Sequence, residues 1–147
     1  MKYEKELAQI KYLLTHSTGQ KVQRVVEYLY DQFNTYSWVG VYLLKEKNLI
    51  LGPWKGLHAT EHTIIPIGKG ICGAAALSGK TELVQEVSKD QRYLACFTST
   101  RSEIVVPIRK NHAIIGEIDI DSDTSNAFDE HDKEFLEKIA DMLSQHI

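Results

Sequence analysis

The sequence predicts an α+β domain in which a largely antiparallel sheet is covered on one face by helices from the two ends of the chain. Three observations carry that expectation. Apolar residues recur at helical spacing through the first part of the chain. The middle switches to short β-rich runs joined by tight turns, and helical spacing returns after Asp129.

Taken in order, Tyr3, Leu7, Ile10 and Leu14 share one helical face, as do Val22, Val25, Val26, Leu29 and Phe33. Two helices are therefore expected over residues 1–34, parted at Ser17-Thr18-Gly19. Ser37 to Leu44 (SWVGVYLL) and Asn48 to Trp54 (NLILGPW) read as strands joined by Lys45-Glu46-Lys47. A further strand is expected at Thr63 to Ile67. Gly68-Lys69-Gly70 then punctuates, and Cys72 to Leu77 reads as a short helix. Thr81 to Val84 is a candidate short strand. Glu86 to Arg101 shows no period and reads as an irregular loop, long enough to suggest function. Glu103 to Arg109 and Ala113 to Asp121 form a hairpin around Lys110-Asn111-His112. Asp129 is placed to cap a last helix over residues 129–146, with Phe135, Ile139, Met142 and Leu143 on its apolar face.

Composition narrows the function classes. The 147 residues suit one domain, and no repeat or Pro/Gly-rich linker divides them. Lys plus Arg is 17 and Asp plus Glu is 20, a net charge of −3, which excludes a strongly basic nucleic-acid footprint. Hydrophobic residues at 43% and charged residues at 25% argue against disorder. No apolar run is long enough for a membrane span, and MKYEKELAQIKYLL is unlike a signal peptide. A cytoplasmic location is therefore expected, with the two cysteines, Cys72 and Cys96, as free thiols. The histidines show no metal spacing, since His58 and His62 lie four apart outside any helical segment. No metal is expected. Length and composition leave the oligomeric state open, a homodimer included.

Four groups of residues are candidates for chemistry. On the strand Gly116 to Asp121, Glu117, Asp119 and Asp121 share one face at intervals of about 6.6 Å. Such a row is either a solvated face or guarded edge, or a pocket for an amine, a metal or a retained proton. Glu103, at the start of the neighbouring strand, is positioned to join it. The Gly68-Lys69-Gly70-Ile71-Cys72-Gly73 segment is either a tight turn or an anion site at a helix start, where the helix dipole would lower the Cys72 pKa. Cys96 is either a small buried hydrophobe or a reactive thiol, with Arg101 near enough in sequence to steady a thiolate. Trp38 and Tyr42 share a strand face and read as core or as the aromatic wall of a small-molecule site.

In order, GKGICGAAA, YLAC, SEIVVPI, IIGEIDIDS and FDEHD resemble a GAF domain, and specifically the free methionine-(R)-sulfoxide reductases. YSWVGVYLL and LGPWKG extend the similarity over roughly residues 20–146. The resemblance implies a six-stranded antiparallel sheet packed with helices. It also implies reduction of the R-sulfoxide of free methionine, but not of protein-bound methionine. By position, Cys96 corresponds to the catalytic cysteine and Cys72 to the cysteine of the glycine loop. Glu103, Asp119 and Asp121 correspond to the acidic pocket residues, and Trp38 and Tyr42 to the aromatic ones. Glu117 lies outside the family's set and is expected at the rim. Many members carry a third cysteine after the GP-aromatic-x-G segment. Here LGPWKGLHATEHT has Ala59 and Thr60 instead, so resolution falls to Cys72 or to an external thiol.

The implied chemistry is coherent. A Cys96 thiolate attacks the sulfoxide sulfur. A protonated carboxyl among Glu103, Asp119 and Asp121 supplies a proton to the oxygen, while an ionised neighbour holds the substrate ammonium. Backbone N–H groups around Lys69, Gly70, Ile71, Cys72 and Gly73 hold its carboxylate, and Trp38 packs on the methylthio end. The sulfenic acid left on Cys96 condenses with Cys72, and a thioredoxin-like reductant reopens the disulfide. No cofactor beyond that external thiol is implied. The alternative is a small-ligand-binding sensory GAF module without catalysis.

Overall fold

A computed structural model describes residues 1–95 and 97–147. Helices α1 (Glu4–His16) and α2 (Lys21–Gln32) precede strands β1 (Trp38–Lys45), β2 (Asn48–Gly56) and β3 (Ile64–Pro66). Helix α3 (Gly70–Ser78) and strand β4 (Glu82–Val84) follow, then β5 (Ser102–Lys110), β6 (Ala113–Ser122) and α4 (Glu130–Leu143). The six strands form one sheet in the order β3-β2-β1-β6-β5-β4, every neighbouring pair antiparallel. Among the described residues no helix is long and apolar enough to cross a membrane.

Strand alternation divides the sheet into two chemically distinct faces. Val39, Val41, Ile104, Val106, Ile108, Ile118 and Ile120 point one way and are buried against Ile10, Val25, Leu29, Phe135 and Ile139 of α1, α2 and α4. The last helix is fixed by a capping box: Asp129 accepts from the His131 and Asp132 amides, and Asp132 accepts from the Asp129 amide. Asp132 also accepts from the Tyr36 hydroxyl at 2.7 Å, tying α4 to the chain entering β1.

The opposite face carries Trp38 and Tyr42 of β1 and Val105 of β5, packed with Ile71, Cys72 and Ala75 of α3. Helix α3 begins at Gly70, two residues before the expected start at Cys72. Gly70 itself has φ +69°, and a Cβ there would lie 2.8 Å from a Leu94 methyl, so the glycine lets the 86–101 loop close down on the turn. The hairpin between β5 and β6 turns on Asn111 and His112, both with positive φ, as the favoured hairpin turns require.

Candidate active site

The centre of β6 decides the site. Glu117, Asp119 and Asp121 do share a face, but it is the face beneath α3, so the solvated-face alternative is excluded. Their exposures are 0%, 2% and 2%, and those of Glu103 and Cys72 are 5%. The register surrounds each acid. Asp121 lies between Trp38 and Glu103, Asp119 between Gly40 and Val105, and Glu117 between Tyr42 and Pro107. Glu117, expected at the rim, is the most deeply buried of the row, because the strand runs inward from Asp121 beneath the helix.

No N–H or O–H group outside the acids themselves reaches Asp119 Oδ1, Asp121 Oδ1 or either Glu117 oxygen among the described residues. None of the ion pairs among those residues includes the four acids. Burial without a cation drives every carboxyl pKa upward. For Glu103, burial leads, and the charges of Asp119 and Asp121 add to it. Burial and then the Asp119 charge raise Asp121. Burial raises Asp119 too, opposed by hydrogen bonds from Glu103 and Cys72. Glu103 is thus within reach of both aspartates, an arrangement that keeps shared protons in place.

Cys72 on α3 faces this row. The helix start was expected to lower its pKa; instead burial pushes the thiol well above its usual range, and the charges of Asp119, Glu117 and Glu103 push the same way. The thiol is within reach of both Asp119 and Glu117 and can donate to either. Cys72, Glu103 and Asp119 place donor atoms within 4.8 Å of one another. That spacing suits a shared cation as well as shared protons.

Two cavities border the row. The outer one, about 100 Å³, is lined by Trp38, His58, Phe97, Ser99, Thr100 and Asp121 among others. Trp38 is stacked on Trp54, with ring centroids 6.2 Å apart. The inner one, about 10 Å³, lies among Lys69, Gly70, Ile71, Cys72, Glu103 and Asp119, with Leu94 over it. It has room for about one water. Tyr42 is not among the residues lining either cavity, and its hydroxyl donates to the His62 carbonyl at 2.7 Å. In the glycine turn, the Lys69 amide is spent on Pro66 and the Gly73 amide on Lys69. The remaining first-turn groups, on Gly70, Ile71 and Cys72, are those a helix start leaves without intrahelical partners.

Cys96 lies outside the described residues. Arg101, expected near its thiolate, instead makes two hydrogen bonds to Glu86, at 3.1 and 3.2 Å. His58, Phe97, Ser99 and Thr100 were not singled out as site residues in the sequence, although Ser99 and Thr100 belong to the polar stretch beside Cys96. His58, from the β2–β3 connection, and Phe97, Ser99 and Thr100, from the 86–101 loop, meet Trp38 at the outer cavity.

This six-stranded sheet with helices on both faces defines the class. The GAF domain model matches residues 18–147. Among relatives, the free methionine-R-sulfoxide reductase of Saccharomyces cerevisiae is 43% identical over 113 residues, 74% of this chain and 62% of that protein. The Escherichia coli protein of the same name is 33% identical over 117 residues, 80% of this chain and 70% of its own. The X-ray structure of free methionine-R-sulfoxide reductase from Neisseria meningitidis, in complex with its substrate, matches with a TM-score of 0.91 at 34% identity. It covers 97% of this chain and 86% of that one. The chain belongs to the free methionine-R-sulfoxide reductases, a family of GAF-domain enzymes.

Proposed function

We propose that this chain reduces free methionine (R)-sulfoxide to methionine through a Cys96 sulfenic acid and a Cys72–Cys96 disulfide. The observation that carries the reading is the buried Cys72 thiol set against four buried carboxyls whose pKa values burial raises, beside a Trp38-walled cavity. A Cys96 thiolate attacks the sulfoxide sulfur. The oxygen passes to Cys96 with a proton from the Glu103–Asp119–Asp121 group, so the sulfoxide is reduced to the sulfide and the thiol is oxidised to sulfenic acid.

The same group explains substrate choice. An ionised member beside Trp38, Asp121, pairs with the ammonium, and the first-turn N–H groups of α3 hold the carboxylate. A methionine within a peptide offers neither charge. Trp38 packs on the methylthio end, and Tyr42 supports that wall from the same strand face. Ala59 and Thr60 stand in the segment where many relatives have a third cysteine, and the Thr60 hydroxyl accepts from the His62 amide. Cys72 is then the thiol within this chain that resolves the sulfenic acid. A dithiol reductant of the thioredoxin class reopens the disulfide by exchange.

The test is turnover. With thioredoxin, its reductase and NADPH, free methionine (R)-sulfoxide should drive NADPH loss, while the S-epimer and a methionine-sulfoxide peptide should not. Absence of NADPH loss with active coupling enzymes would overturn the proposal and favour a sensory module. Cys96→Ser should abolish methionine formation, and Cys72→Ser should permit one methionine per chain. The reverse pattern would exchange the roles of the two thiols.

A further inference from the structure

Glu117 is the one carboxyl of the row that the reaction above leaves without a task. Its side chain is completely buried, and neither oxygen has an N–H or O–H partner among the described residues. It is not among the residues lining either cavity, so it does not face the substrate space. Its polar neighbours are the Cys72 thiol on α3 and Asp119 two residues along β6. Tyr42 on β1 and Pro107 on β5 pair with it across the sheet. The Tyr42 hydroxyl is turned to His62, and proline brings no titratable group.

Asp119 also reaches the thiol, but it is engaged with Glu103 as well. Glu117 has no such competing acid partner. We propose that Glu117 is a further catalytic residue, the proton acceptor that turns the buried Cys72 thiol into the nucleophile of the resolving step. The inference rests on the disulfide route proposed above. The Cys72 proton passes to the Glu117 carboxylate as the Cys72 sulfur attacks the Cys96 sulfur. An S–S bond forms, the Cys96 S–O bond breaks, and the departing hydroxide takes a proton from the Glu103–Asp119 pair to leave as water. Cys72 is oxidised as the sulfenic sulfur is reduced, and no outside electrons are needed. Glu117 then returns its proton to the acid row. Burial raises the Glu117 pKa, and the Asp119 charge adds to this, making it a stronger base than an ordinary glutamate.

The step can be isolated from substrate. Reduced protein is mixed with one equivalent of hydrogen peroxide and quenched in acid. Sulfenic acid, trapped with dimedone, and intramolecular disulfide are then followed by mass spectrometry between pH 5 and 9. In the wild type the disulfide should form, with a rate that levels off once Glu117 is ionised. Glu117→Gln should slow disulfide formation by about 100-fold, let trappable sulfenic acid accumulate, and give a rate that keeps climbing with pH toward the titration of the thiol itself. Glu117→Asp, which keeps the carboxyl, should restore part of the rate and the plateau; if Glu117→Gln does not fold, the aspartate variant carries the test. Wild-type rate and pH profile in Glu117→Gln would overturn the role of Glu117 and leave the disulfide route standing. Sulfenic acid on Cys96 with no disulfide in the wild type would overturn both.

Discussion

At the scale of single residues, Cys72 shows two opposed effects on one thiol. A helix start favours a thiolate by about 1–2 kcal/mol. Removing an ionised group from water costs several kcal/mol, and here three carboxyls add to that cost. Burial wins, so Cys72 rests as a thiol and needs a base to act. In a Cys96→Ser background, Cys72 alkylation by iodoacetamide should therefore be slow at pH 7, with a pH midpoint above that of free cysteine. Adding Asp119→Asn removes the largest of the neighbouring charges. The midpoint should then fall and the rate at pH 7 rise by about tenfold, one pKa unit's worth. A midpoint that stays put would show that the carboxylate charge does not act on the thiol.

At the scale of elements, β1 and β2 build the aromatic wall out of glycines. A Cβ on Gly40 would lie 2.3 Å from the Trp38 ring, and one on Gly56 would lie 2.4 Å from it. The indole lies flat because both positions lack a side chain. Gly40→Ala should tilt Trp38 into the outer cavity at an overpacking cost of about 1–3 kcal/mol. The expected result is a KM for the free sulfoxide raised by about tenfold, a smaller effect on kcat, and altered tryptophan fluorescence. Unchanged KM and fluorescence would show that the ring is not seated on these glycines. The loop opposite is anchored at its base and by an Arg92–Glu82 ion pair at 2.8 Å. The Val87 amide donates to the Arg101 carbonyl at 2.8 Å. Hydrogen bonds from Arg101 and Ser125 hold the Glu86 pKa down to about 2. That tie is present above the ordinary carboxylate range and is lost only as pH falls through about 2, so the loop base stays closed at physiological pH.

At the scale of the whole molecule, the acid row opposes folding at neutral pH. Glu103, Glu117, Asp119 and Asp121 all have pKa values higher than in the unfolded chain. Their contribution is fully present below the ordinary value of about 4 and is lost as pH rises through the raised folded values. The melting temperature should therefore fall between pH 5 and pH 8. Glu103→Gln, which removes one charge from the row, should raise the melting temperature at pH 8 and have less effect at pH 5. Calorimetry at the two pH values checks this, and an equal gain at both would contradict it. The domain carries this cost on the sheet face opposite the larger apolar cluster, which the helices α1, α2 and α4 cover.

Periodicity by itself determined the elements. Helical spacing from Tyr3 to Phe33, the β-rich runs and the Asp129 cap are local properties of the chain, and they appear where local propensity places them. It also put Glu117, Asp119 and Asp121 on one face, because strand alternation needs no tertiary information. Which side of the sheet that face would meet was a tertiary matter. The packing of α3 turned a row that could have been solvated into a buried one with raised pKa values, raised a thiol that its helix position alone would have lowered, and placed Glu117 at the inner end instead of the rim. Arg101 was drawn to Glu86 at the loop base for the same reason. Spacing along a strand sets direction, whereas burial, which decides charge state, depends on what the rest of the chain lays over it.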